Sequence, residues 1–127
     1  MRDHRNEGGA AIADFAMVSV LVVVLFLAVV QLGLALHTRN TLISCAAEGA
    51  RLGARADAMA GQGISRTESL ISESLSPRYA RQVTSSVSTV GGVRVVEVRV
   101  VAPIPVLGLL GPEDRLDVVG RAFLESQ

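Results

Sequence analysis

The sequence predicts an α+β chain. A long N-terminal transmembrane helix should be followed by a small domain with a short helix and a three-stranded antiparallel sheet. Three observations carry this. From Phe15 to Leu36 the apolar run is interrupted only by Ser19, Gln31 and Gly33. No proline occurs before Pro77. After it, valine-rich runs are punctuated by Gly91-Gly92 and by Pro103 and Pro105.

The apolar run is about 22 residues long. As a helix rising ~1.5 Å per residue it reaches roughly 33 Å, enough for a hydrocarbon core of ~30 Å. Its valines lower helix propensity in water, but in lipid the backbone must satisfy its own hydrogen bonds, which imposes a helix. A cleaved secretory signal is the competing reading, with Gly33 and Ala35 as small residues two apart. Signal cores are shorter, about 7–15 residues, and the preceding segment mixes Asp3 and Glu7 with Arg2 and Arg5. Charge does not orient the span, because Arg39, Arg51 and Arg55 follow it closely.

Residues 37–60 continue as an alanine-rich helix to the first strong break, Gly61 and Gly63. Ala46, Ala50 and Ala54 recur every fourth residue, as do Gly49 and Gly53. That spacing lines helix faces on which another backbone can pack closely; a merely solvated helix is the alternative. Glu48 can meet Arg51 one turn on. Residues 64–75 form a short amphipathic helix with Ile64, Leu70, Ile71 and Leu75 near one face, and Ser65 with Glu68 as a capping box.

Strands follow. Gly91-Gly92 between two β-rich runs is a two-residue hairpin signal. Val96, Val98 and Val100 share one face, with Glu97 and Arg99 opposite, until Pro103 and Pro105 stop the strand. Residues 106–114 read as a loop. Residues 115–125 make the third strand, with Leu116, Val118, Ala122 and Leu124 alternating. The expected organisation is 1–9 leader, 10–60 transmembrane and extended helix, 61–127 small α+β domain.

Composition narrows the function. Twelve arginines, with no lysine, balance twelve acids, and there is no Trp, one Tyr and three Phe. Neither a basic stripe nor aromatic platforms for bases are present, so nucleic acid is not an expected partner. Cys45 has no second cysteine to pair with, and His4 and His37 have no ligand spacing near them, so no metal is expected. The chain contains no G-x-S-x-G and no glycine-rich phosphate loop ending in Lys. Glu113 and Asp114, adjacent acids in a proline-flanked turn, read as loop solvation. No enzyme, cofactor or small-molecule substrate is expected.

"GGAAIADFA" (8–16), ahead of the apolar helix, is arranged as a class III signal peptide: Gly9, Ala10, then Asp14 and Phe15. With "AAEGARLGAR" (46–55) it resembles the TadE-like family of pilin-like proteins of tight-adherence (Flp) pili, over roughly residues 8–60. Family members commonly carry Glu at the fifth mature position; here it is Asp14, shorter by about one C–C bond, ~1.5 Å.

The resemblance implies a minor pilin or pseudopilin-like subunit cut by a membrane prepilin peptidase between Gly9 and Ala10. It also implies a cytoplasmic N-terminus and an extracytoplasmic C-terminal domain, an assembly contact at Asp14, and other pilin-like subunits and pilus assembly membrane proteins as partners. Gly8 is the rival cut site, but cutting there would put Ala13 fifth. The alternative is an unprocessed membrane anchor whose outer domain is an adaptor for an envelope or secretion complex. A soluble domain released near His37 is a third reading.

Overall fold

The computed structural model describes residues 4–59, 61–105 and 115–125. The loop expected over 106–114 lies outside them. The chain divides into two compact units, Met1–Leu34 and Ala35–Gln127. Helix α1, His4–Gly53, contributes to both.

The first unit is helical, and its apolar side chains lie on every side of α1. Phe15, Leu21, Leu25, Phe26 and Val29 are each more than half exposed. A helix apolar all round and uncovered by its own chain is unfavourable in water and suited to lipid. It is long and apolar enough to cross a membrane.

The second unit packs the C-terminal part of α1, helix α2 (Gln62–Ser74) and a 3-10 turn (Pro77–Ala80) with strands β1 (Val83–Val90), β2 (Val93–Pro103) and β3 (Arg115–Phe123). The sheet is antiparallel in the order β1-β2-β3. Gly91 and Gly92, with φ of 59° and 82°, make the tight turn that pairs Val90 with Val93. Both central positions of such a turn need positive φ, which glycine adopts without steric cost. From that register the period-2 alternation buries Val96, Val98, Val100 and Ala102, and Val118 joins them from β3. Leu42, Cys45, Ala46 and Ala50 of α1, Ile71 of α2 and Tyr79 complete the core.

The opposite sheet face is polar at its centre. Glu97 and Arg121 are register partners joined at 2.8 Å, and Arg99 reaches Asp117 at 3.3 Å. Val95 shares this face yet is buried, between its register partners Ser88 and Phe123.

Two expectations are corrected here and a third is refined. The long helix ends at Gly53, before the Gly61 and Gly63 break. The carbonyl of Ala54 accepts the backbone N–H of Glu125 at 2.9 Å, so a tertiary bond takes a group that would otherwise serve a continuing helix. Residues 35–53 fall in the same compact unit as the sheet.

The capping box at Ser65 and Glu68 does not form. Helix α2 begins at Gln62, after Gly61 with φ of 80°, and the Ser65 N–H is already bonded to the Gly61 carbonyl at 3.0 Å. The Gln62 side chain reaches back instead, accepting from the Met59 N–H at 3.2 Å.

The apolar face of α2 does turn to the core, with Ile71 inside it and Leu70 and Leu75 packed against it, but the closest contact line runs through smaller residues. The buried residues of α2 are Gly63, Thr67 and Ile71, while Ile64, Leu70 and Leu75 are half-buried. Close approach to α1 selects the small side chains for the contact line, and the larger ones flank it.

Candidate processing and assembly segment

Gly8, Gly9 and Ala10 lie within α1, and no atom stands within 4 Å of where a side chain on either glycine would begin. Each glycine inside a helix is less favourable than alanine by ~1 kcal/mol, so two in succession make a weak point in α1. A peptidase needs an extended scissile backbone. Local unwinding at Gly9 and Ala10 costs less than in the valine-rich helix that follows.

Asp14 lies four residues beyond Ala10, about 6 Å further along the axis and on the same face. Its carboxylate is exposed, and among the described residues it takes part in no ion pair. From Ala10 to Leu36 it is the one ionisable side chain. A carboxylate near the end of a membrane helix is unfavourable unless it finds a cation or headgroup water. Ile12 and Phe15 beside it are exposed at 72% and 74%. Carboxylate and apolar surface are therefore offered together on one stretch of helix.

The small-residue positions occupy a different setting. Ala46, Ala50 and Ala54 are buried within their own chain. A methyl on Gly120 of β3 would overlap the Ala46 carbonyl and the Ala47 nitrogen, so helix and sheet meet there backbone to backbone. A methyl on Gly49 would overlap the Thr67 hydroxyl, whose oxygen donates to the Gly63 carbonyl at 2.8 Å. Gly53 has Gly63 and Val96 as neighbours at ordinary van der Waals distance, 3.6 Å from where its Cβ would stand. This face is closed by α2 and the sheet, so a neighbouring subunit cannot use it while unit 2 is folded.

Thr67 and Gly120 supply part of that contact without being candidates from the sequence, where Gly63 figures only as a helix break. The four-residue spacing of Gly63, Thr67 and Ile71 was the available signal for α2; nothing local marks Gly120.

Cys45 is buried beside Ser74. Burial pushes its thiol above the ordinary value, and a hydrogen bond with Ser74 only partly offsets this. It is a packed core residue. Glu48 and Arg51 pair at 3.3 Å on the solvent side, a contact worth ~0.3–0.5 kcal/mol at such exposure.

One helix long and apolar enough to span a membrane, with a Gly-Ala step and an acid one turn on near its start, is thus joined to a small α+β unit. The family model for TadE-like protein matches residues 9–51. Over that segment, about a third of the chain, the sequence is similar to TadE-like protein. The match begins at the proposed scissile glycine and stays within α1; α2 and the sheet lie beyond it. No curated protein and no solved structure matches the chain.

Proposed function

We propose that the chain is a minor pilin or pseudopilin-like subunit of a tight-adherence pilus assembly system. A prepilin peptidase cuts it after Gly9, and it assembles through α1 with other pilin-like subunits. It does no catalysis of its own. In this reading the N-terminus before the cut is cytoplasmic and the α+β unit is extracytoplasmic.

The observation that carries the reading is the coincidence of three features on one helix. The TadE-like match starts at Gly9, Asp14 stands one turn beyond Ala10, and the apolar surface from Phe15 onward is left uncovered. Cleavage creates a positively charged amine on Ala10. Opposite unit charges about 4 Å apart at an effective dielectric of ~20 attract by ~4 kcal/mol before desolvation, so the net gain is smaller. Pairing of that amine with Asp14 of an adjacent subunit would align neighbouring helices axially while their apolar faces pack.

N-terminal sequencing of the chain isolated from membranes tests this. The proposal requires Ala10 as the first residue. Met1 would support the unprocessed anchor, and a residue near His37 a secreted domain.

A further inference from the structure

Three arginines, two of them neighbours in sequence and the third more than thirty residues on, line one cleft of the second unit. Arg78 comes from the 3-10 turn, Arg81 from just before β1 and Arg115 from the start of β3. The cleft has a volume of about 400 Å³, and no carboxylate lines it among the described residues. The closest acid along β3, Asp117, is engaged by Arg99 at 3.3 Å.

Arg78 is held in place, its guanidinium 4.8 Å from the Tyr79 ring centroid and donating to the Tyr79 hydroxyl at 2.7 Å. Among the described residues Arg115 makes one long contact, Nη1 to Gln82 Oε1 at 3.5 Å. Guanidinium groups lining one cleft with no acid among the described residues are suited to a phosphate, which they bind through paired N–H donors.

The position of the cleft within unit 2 names the source of that phosphate. Gly120 abuts Ala46, and the Glu125 N–H bonds the Ala54 carbonyl, so α1 here runs in the same direction as β3. Followed backwards together, β3 leads to Arg115 and its partner Pro103 while α1 leads to Ala35. The cleft therefore opens at the end of the unit where the apolar run terminates at Leu36. Arg39, exposed and one turn on from Leu36, adds a fourth positive charge at that level.

We propose that this cleft binds the phosphate headgroups of anionic phospholipids in the membrane crossed by α1, so that the α+β unit is seated on the lipid surface. The proposal rests on the membrane-spanning reading of α1, but not on which side of the membrane the unit lies. Each arginine near an anionic surface contributes about fivefold to the partition toward it, and salt screens the effect.

The test uses the full chain in nanodiscs of phosphatidylcholine alone or mixed with phosphatidylglycerol, read by amide hydrogen exchange. Recovery of the chain in the disc fraction checks membrane insertion separately. With phosphatidylglycerol, exchange over residues 78–82 should slow at least about fivefold, and high salt should abolish the slowing. R81Q/R115Q should lose it, and R81K/R115K should keep most of it. Exchange at Val98 and Val100 reports in the same spectra that the variants are folded. Equal exchange in the two lipids, or slowing that survives in R81Q/R115Q, overturns the proposal. Slowing produced by inorganic phosphate in phosphatidylcholine discs would assign the cleft to a soluble anion and overturn it as well.

Discussion

Gly63 of α2 lies backbone to backbone against Gly49 of α1: a methyl on Gly63 would stand 2.7 Å from the Gly49 carbonyl oxygen and 3.4 Å from the Gly53 Cα. The small residues of α1 thus serve an intrachain crossing, which the Thr67–Gly63 hydrogen bond reinforces from the α2 side. Ile71, fully buried one further turn along, continues the same contact line into the core.

This predicts how glycine substitutions divide. Gly63→Ala should destabilise the second unit by roughly 1–3 kcal/mol, because the obstructing atom is main chain and cannot rotate away. Gly53→Ala should cost less than ~0.5 kcal/mol, since its new methyl meets neighbours at 3.6 Å. Denaturant titration of the detergent-solubilised chain would measure both. Equal losses would mean that the close approach at Gly63 is not what holds α2 in place.

Thiol labelling gives an independent view of the same packing. Burial at 6% exposure and a raised thiol pKa both keep Cys45 protonated and shielded, so a thiolate-directed reagent near neutral pH should modify it slowly. Gly63→Ala should accelerate labelling by opening the α1–α2 contact. The thiol is neutral in the folded state, so its contribution to stability is present below the ordinary thiol pKa and declines as pH rises through the raised folded value. Rapid labelling of the unaltered chain would contradict the buried assignment.

Processing makes a sharper distinction between adjacent residues. Gly9→Leu should leave the full-length form in the membrane, because a branched side chain at the scissile position blocks backbone approach and restores helix propensity by ~1 kcal/mol. Gly8→Leu should reduce cleavage less. Intact-mass measurement of membrane extracts separates the two forms. A chain starting at Ala10 in the Gly9→Leu variant would remove the cleavage proposal.

At Asp14 the expected split is between cutting and assembling. Asp14→Ala should be cleaved normally but co-purify poorly with tagged subunits, having lost the partner for the Ala10 amine. Asp14→Glu keeps the charge and lengthens its reach, so co-purification should be preserved or improved. Normal co-purification of the alanine variant would show that the carboxylate makes no assembly contact.

Much of this was legible in residue order, because it depends on contacts along the chain. The span follows from an uninterrupted apolar run, the hairpin from two glycines that accept positive φ, and the sheet register from the alternation of Val96, Val98 and Val100. The Gly9–Asp14 segment is equally local: its spacing along one helix is its geometry. What required the tertiary structure depends on partners distant in sequence.

The end of α1 at Gly53 reflects a hydrogen bond from Glu125 to Ala54, which no propensity at residues 53–60 encodes. Small residues at 46–54 announce close packing but not its partner, because a stripe lacking side chains fits any backbone. Gly63, Thr67 and Gly120 became that partner only when α2 and β3 folded onto α1. Nothing in the sequence links Arg115 to the neighbouring Arg78 and Arg81; the antiparallel return of β2 and β3 brings it to the same cleft.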